Sequence, residues 1–416
     1  MAVPRIAARR TTLAALAILT FVLALPRRLA AQQEGPPVTI GTTWTLHSRV
    51  LDEDRRLLVH LPTGYATSGE RYPVMYLLDG DAHFEHVSGI VDFLASNWRI
   101  PPMIVVGVTN TDRTRDLTPP TDRDTVRLKP PFFSDSLTLS FPTAGGADDF
   151  LRFLADEVVP LVEARYRTAP FRVLVGHSFG GLFAVHTLLS RPESFRAYIA
   201  ISPTIWWNDE GPVKTAERKL ADLPVDGRFL YLTVGDREGR MMSGLFDFSA
   251  ALERAAPAGL RWWYRVMSDE THGSNPHLSV YDGLEAIFRD WRVPESLIIP
   301  GDIAALESHF ARASKVYGYE IGPPEGLVNQ MGYLQLQGGR SEKAIEIFRR
   351  NVELYPASAN VHDSLADALE ADGQLEAALA QREEAVHRAS AEHDPRLDAF
   401  RRNRDALKRK IEKGSG

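Results

Sequence analysis

One six-residue turn constrains this chain more than any other feature. Gly176-His177-Ser178-Phe179-Gly180-Gly181 follows the apolar run 173–175 and precedes the helix-like stretch 182–189. A serine held between glycines where a strand passes into a helix sits on a tight bend, because glycine removes the Cβ clashes that would open it. The bend lifts the hydroxyl above the sheet edge. It also brings the next N–H, that of Phe179, to the positive end of the helix, where a developing oxyanion is stabilised. Ser178 is the candidate nucleophile. The chain has no cysteine, so no thiol competes for that role, and disulfides and thiolate metal sites are excluded.

The surroundings of the turn agree with it. Over residues 42–293, apolar β-rich runs at 57–61, 74–78, 104–108, 173–175, 198–201, 229–234 and 262–266 alternate with helical patterns. Several runs are continuous rather than alternating, as in strands covered on both faces. The order predicts an α/β domain with a mostly parallel central sheet. The clearest helix spans 147–165, with Phe150, Leu151, Leu154, Val158 and Leu161 at helical spacing and Pro160 expected to kink or stop it. Residues 109–146 are proline-containing and aperiodic, the pattern of a lid or a disordered loop.

A serine needs a base, and in this strand order the acid and then the histidine follow the nucleophile. Between Ser178 and Pro300 lie His186, His272 and His277. His186 stands two turns into the helix and reads as structural. His272 lies in Ser268-Asp269-Glu270-Thr271-His272-Gly273-Ser274, directly after a strand, where a base belongs; His277 is the alternative. The acid is expected in Gly235-Asp236-Arg237-Glu238-Gly239, after the 229–234 strand. Glu238 is preferred and Asp236 is the alternative; either carboxylate could orient the imidazole. A second oxyanion donor is expected from the backbone N–H of Gly80 or Asp81, in Tyr76-Leu77-Leu78-Asp79-Gly80-Asp81. Asp79, Asp81, His83 and His86 can also be read as a metal cluster, but nothing else completes a metal motif, and they are expected to shape the loop.

With these residues in view, the chain resembles the serine esterases of the α/β-hydrolase fold, the group containing esterase D and the siderophore trilactone esterases. The resemblance spans residues 42–293. It rests on Leu77-Leu78-Asp79-Gly80, Asn110-Thr111-Asp112-Arg113-Thr114-Arg115-Asp116, the Gly176–Gly181 turn, Ser202-Pro203-Thr204-Ile205-Trp206-Trp207 and Glu270-Thr271-His272-Gly273-Ser274. It implies Ser178 as nucleophile, His272 as base, an acid in the Gly235–Glu238 turn, and Trp206 and Arg115 lining the substrate pocket. It implies an acyl-enzyme that needs no metal or organic cofactor.

The ends of the chain carry other signals. Residues 1–31 hold Arg5, Arg9 and Arg10, then an apolar run over 11–25, then Leu29-Ala30-Ala31 before Gln32. This reads as a signal peptide, too short in its apolar part for a spanning helix. The expected location is periplasmic or secreted, with no stable membrane span after cleavage. The net charge is −6, and all the charged residues of the leader are basic, so the remainder is more acidic still. An acidic body argues against nucleic acid as a partner.

Residues 302–392 read as helical, and 393–416 as a charged C-terminal tail. A shift of 34 residues lays Ala344 on Ala378, Gly339 on Gly373, Gly332 on Ala366 and Met331 on Leu365. Leu336 on Glu370 and Phe348 on Arg382 count against it. The two units, 325–358 and 359–392, resemble tetratricopeptide repeats. They are expected to pack on the hydrolase part or on themselves, and they offer a surface for a protein partner. The leading expectation is an exported serine esterase. The alternatives are an inert hydrolase-fold scaffold whose repeats bind that partner, and an acyltransferase sharing the acyl-enzyme.

Overall fold

The computed structural model describes residues 35, 37–121, 125–128 and 137–414. The signal-peptide reading therefore lies outside the described residues, as do parts of the 109–146 stretch. Ten strands form among the described residues: β1 Thr42–Ser48, β2 Glu53–His60, β3 Tyr72–Leu77, β4 Ile104–Val108, β5 Thr125–Leu128, β6 Leu137–Ser140, β7 Thr168–His177, β8 Ala197–Ile201, β9 Phe229–Gly235 and β10 Arg261–Met267. Eight make one sheet in the order β1-β2-β4-β3-β7-β8-β9-β10. β2 runs antiparallel to β1 and β4, and the other neighbours are parallel. This is the α/β-hydrolase arrangement. β5 and β6 pair as a separate antiparallel hairpin.

The central strands are apolar throughout because both faces are covered. Val74 and Tyr76 of β3 enter one core, together with the helices Ala147–Phe153, Phe179–Ser190 and Gly239–Ala255. Met75 and Leu77 enter the other, with Gly80–Ser96 and Asn275–Ile287. The edge strand β1 was not among the expected strands. Its Trp44 and Leu46 alternate with exposed threonine and histidine, so it carries no continuous apolar run.

Pro160 does not stop its helix. Ala147–Phe153 passes through a π-helical turn, Leu154–Val158, into Val159–Arg165. The Val159 N–H reaches back to the Leu154 carbonyl. The wider turn ends where the proline ring and its missing N–H must be accommodated.

The C-terminal region is helical, and its first part belongs to the sheet. Leu306, Phe310 and Tyr317 of Ile303–Tyr317, with Leu327, Val328 and Met331 of Glu325–Gln337, join the second core. The Tyr317 ring lies 5.6, 5.8 and 5.5 Å from those of Phe171, Phe229 and Phe288. Its hydroxyl donates to the Ile287 carbonyl at 3.1 Å and accepts from the Trp291 N–H at 3.1 Å.

Beyond it, Glu325–Gln337 with Ser341–Leu354, and Ala359–Ala371 with Leu375–Ala391, form two helical hairpins whose helices start 34 residues apart. Gly332 lies where the first pair crosses; a Cβ there would stand 2.4 Å from a Phe348 ring carbon. The two mismatched positions find partners of their own. Arg382 is 5% exposed and its guanidinium binds Asp363 and Asp367. Glu370 accepts from Lys410 of the last helix, Leu397–Gly414, at 2.8 Å.

Candidate active site

The turn after β7 is as tight as its glycines suggest. A Cβ on Gly176 would fall 2.2 Å from the Gly180 carbonyl oxygen. Ser178 has φ 61° and ψ −113°, a left-handed backbone that costs a residue with a side chain about 1–3 kcal/mol. Its N–H donates to Ile201 O at 2.9 Å, and its carbonyl receives the Leu182 N–H at 2.9 Å, so the strain is held from both sides. Phe179 opens the helix Phe179–Ser190, where N–H groups have no partner within the helix.

His272 sits in the loop after β10. Its Nδ1 lies 2.6 Å from Glu238 Oε2. The other oxygen, Oε1, accepts from the Gly235 N–H at 2.8 Å and from Ser202 Oγ at 2.7 Å. Burial alone would raise the Glu238 carboxyl, but the bonds from His272, Ser202 and Gly235 outweigh it and hold it below its ordinary value. An ionised carboxylate only accepts, so Nδ1 carries the proton and Nε2 keeps the lone pair a base needs. Behind them, Asn275 Nδ2 donates to Ser202 Oγ at 2.8 Å, and Ser279 Oγ donates to Asn275 Oδ1 at 2.6 Å. This buried chain was not singled out from sequence. Asp236 turns elsewhere: its Oδ2 accepts the Asp269 N–H at 2.9 Å.

Gly80 opens the helix Gly80–Ser96, with Asp79 as its left-handed cap at φ 53°. Leu78 and Asp79 lie against Gly180, so two helix N-termini meet beside Ser178.

The chain also has relatives among known proteins. Residues 48–258 match the family model described as "Putative esterase". The chain belongs to this esterase family. It is 36% identical over 191 residues to the "Siderophore enterobactin esterase" of Emericella nidulans, covering 41% of this chain and 60% of that one. It is 30% identical over 221 residues to the "Ferri-bacillibactin esterase BesA" of Bacillus subtilis, covering 48% and 73%. The chain thus spans less than two thirds of the first relative's length. Among solved structures, an "IroE-like serine hydrolase" from Shewanella oneidensis superposes with a TM-score of 0.66 at 28% identity, covering 76% of this chain and 99% of that one.

Within the esterase frame, the two expected pocket residues part company. Trp206 is buried in a cluster with Leu182 and Trp207, against Phe179, Phe141 and Met241, next to the Ser178 turn. Arg115 instead spends its guanidinium on Glu53, at 2.6 and 3.1 Å, and on Asp116 at 2.8 Å. These join the buried Arg55–Asp116 pair in a structural network. The arginine beside the elbow is Arg113.

Of the four side chains expected to shape a loop, only that of Asp79 stands outside the helix, at its cap, while Asp81, His83 and His86 lie within Gly80–Ser96. Asp81 Oδ1 accepts from the Asn110 N–H at 3.2 Å. Among the described residues no three His, Asp or Glu side chains converge as metal ligands. His186 bonds Asp148 at 2.7 Å, away from the elbow. His277 packs on His86 with ring centres 5.3 Å apart and closes a row, His277-His86-His83-His177-His272, whose last pair is 4.5 Å apart.

Burial, followed by the neighbouring imidazoles, pushes His86 and His177 from 6.5 down to about 4. Both are neutral near pH 7. The unfolded chain binds more protons than the folded one between pH 6.5 and about 4. Stability is therefore full above that window and falls as pH drops through it, by about 3 kcal/mol per histidine. Urea midpoints across the window should show the fall, and His86→Gln should remove part of it. An unchanged slope in that variant would exclude His86 as a source.

Proposed function

We propose that this chain is an exported serine esterase that opens siderophore-type esters through an acyl-enzyme on Ser178. The observation carrying the reading is the Glu238–His272 pair, fixed in one tautomer, on a loop whose histidine packs against the residue preceding a strained serine. Ser178 Oγ attacks the ester carbonyl while His272 Nε2 takes its proton. The N–H groups of Phe179 and of Gly80 or Asp81 hold the oxyanion. His272 then protonates the leaving alcohol, and water deacylates the enzyme by the same steps reversed. No metal or organic cofactor enters the scheme. The ester class is taken from the siderophore esterases the chain is similar to.

The test is to treat the purified protein with a fluorophosphonate and with a panel of p-nitrophenyl esters and a cyclic catecholate triester. Label on Ser178 and stepwise opening of the triester are expected. Absence of both label and turnover would remove the reading. Glu238→Gln should lower kcat by roughly 10²–10⁴-fold, because the amide no longer fixes the tautomer or steadies the imidazolium. A kcat within a few-fold of the parent would take Glu238 out of the mechanism. Export predicts an N-terminus at Gln32 in intact-mass measurements of the native protein; a retained residue 1–31 segment would overturn it.

A further inference from the structure

We infer that Arg113 is a positioning residue that sets the gap between the two halves of the oxyanion site, an assignment that rests on the esterase reading above. Its Nε donates to Asp79 Oδ1 at 2.6 Å and its Nη2 to Asp79 Oδ2 at 2.9 Å. The same Nη2 donates to the His177 carbonyl at 3.1 Å. Asp79 immediately precedes Gly80 and Asp81, and His177 immediately precedes Ser178 and Phe179. One planar group thus ties together the residues that lead into the two sets of donors.

The two segments leave the ends of β3 and β7, which are neighbouring parallel strands. Donor spacing beyond the strand ends depends on cross-ties of this kind. Asp79 is 4% exposed and holds a left-handed backbone, φ 53°, so its carboxylate is both buried and anchored at a strained point. A buried carboxylate is stable only when its lone pairs are met. Arg113 meets them from one side, and Asn110 Nδ2 adds a third bond to Oδ1 at 2.7 Å. The guanidinium carbon also lies 5.6 Å from the centre of the Phe179 ring, so Arg113 touches the donor-bearing residue as well. Lysine offers a point charge in place of this two-pronged fork and cannot reproduce both contacts.

An oxyanion donor is worth about 10²–10³-fold in kcat. Loosening the spacing should therefore lower kcat by roughly 10–100-fold in Arg113→Lys and leave KM within about threefold. Affinity for an arylboronic acid, which forms a tetrahedral adduct on the serine, should fall with kcat. Added guanidinium ion should restore part of the kcat of Arg113→Ala, whereas methylammonium should not. Asp79→Asn, which keeps the volume, should show the same kcat-only loss and little further loss when combined with Arg113→Lys. A raised KM at constant kcat would overturn the inference and make Arg113 a substrate contact. Unchanged kinetics in both conservative variants would also overturn it. A parent protein that neither turns over esters nor takes the fluorophosphonate label would sink the esterase reading itself, an outcome distinct from an active parent with indifferent variants.

Discussion

Replacing Ser178 by alanine is expected to abolish ester turnover, lowering kcat by roughly 10⁴–10⁶-fold while the fold survives. The loss is this large because nucleophile and base act as one unit: without Oγ, the His272–Glu238 pair has nothing to activate. Folding should be indifferent. Alanine keeps a Cβ and inherits the same left-handed backbone, φ 61°, so it neither relieves nor adds strain. Ser178→Gly, in contrast, removes that Cβ and should gain about 1 kcal/mol in stability while being equally inactive. p-Nitrophenyl ester hydrolysis, fluorophosphonate labelling and thermal melts of the three proteins read all of this. Alanine-variant turnover within tenfold of the parent would mean that another group attacks the carbonyl. A glycine variant no more stable than the parent would mean that the bend is not strained.

Deleting residues 301–416 is expected to prevent folding rather than to release an active catalytic domain. The cut removes Leu306, Phe310, Tyr317, Leu327, Val328 and Met331, all at most 1% exposed, from the core beneath the sheet. At about 1.5–3 kcal/mol for each large apolar side chain, the loss is on the order of 10 kcal/mol, comparable with the whole stability of a typical domain. It also bares Phe171, Phe229, Phe288 and Trp291. A cut after residue 357 keeps the helices that reach the sheet and should leave a folded, active protein that melts several degrees lower. Circular dichroism, urea titration and size-exclusion chromatography of the two truncations decide between these outcomes. A monomeric, cooperatively folding 1–300 fragment would show that the tail is dispensable for the core.

What the amino-acid sequence makes legible here is what is local. The elbow is readable because its demands fall on six consecutive residues. The inner strands are readable because burial on both faces leaves an apolar run. β1 is not, since an edge strand with one wet face carries only alternation, and Trp44 and Leu46 are two points of it. Glu238 and Asp236 share one turn, so sequence alone cannot say which carboxylate faces His272. That direction is set by the turn bonds, with the Glu238 carboxylate reaching back to the Gly235 N–H. Ser202 lies far in the chain from Asn275 and Ser279, which share one helix, and it meets them only because β8 and β9 are neighbours and the helix Asn275–Ile287 follows β10. Arg113 and Arg115 stand two places apart in the short helix Arg113–Leu117, roughly opposite in direction, and that turn sends one to the elbow and the other to Glu53. The motif shows both arginines and hides the difference.

The ion pairs at Arg382 clasp the two helices of the second hairpin to each other. The first hairpin fills this position with Phe348 and the second with a buried guanidinium held by Asp363 and Asp367. Lys408 and Lys410 of the final helix then reach Glu383 and Glu370 and cover the outer side of the second hairpin. Each hairpin is therefore keyed within itself, one by a ring seated in a glycine notch and the other by a guanidinium between two carboxylates, and the final helix covers the outer side of the second.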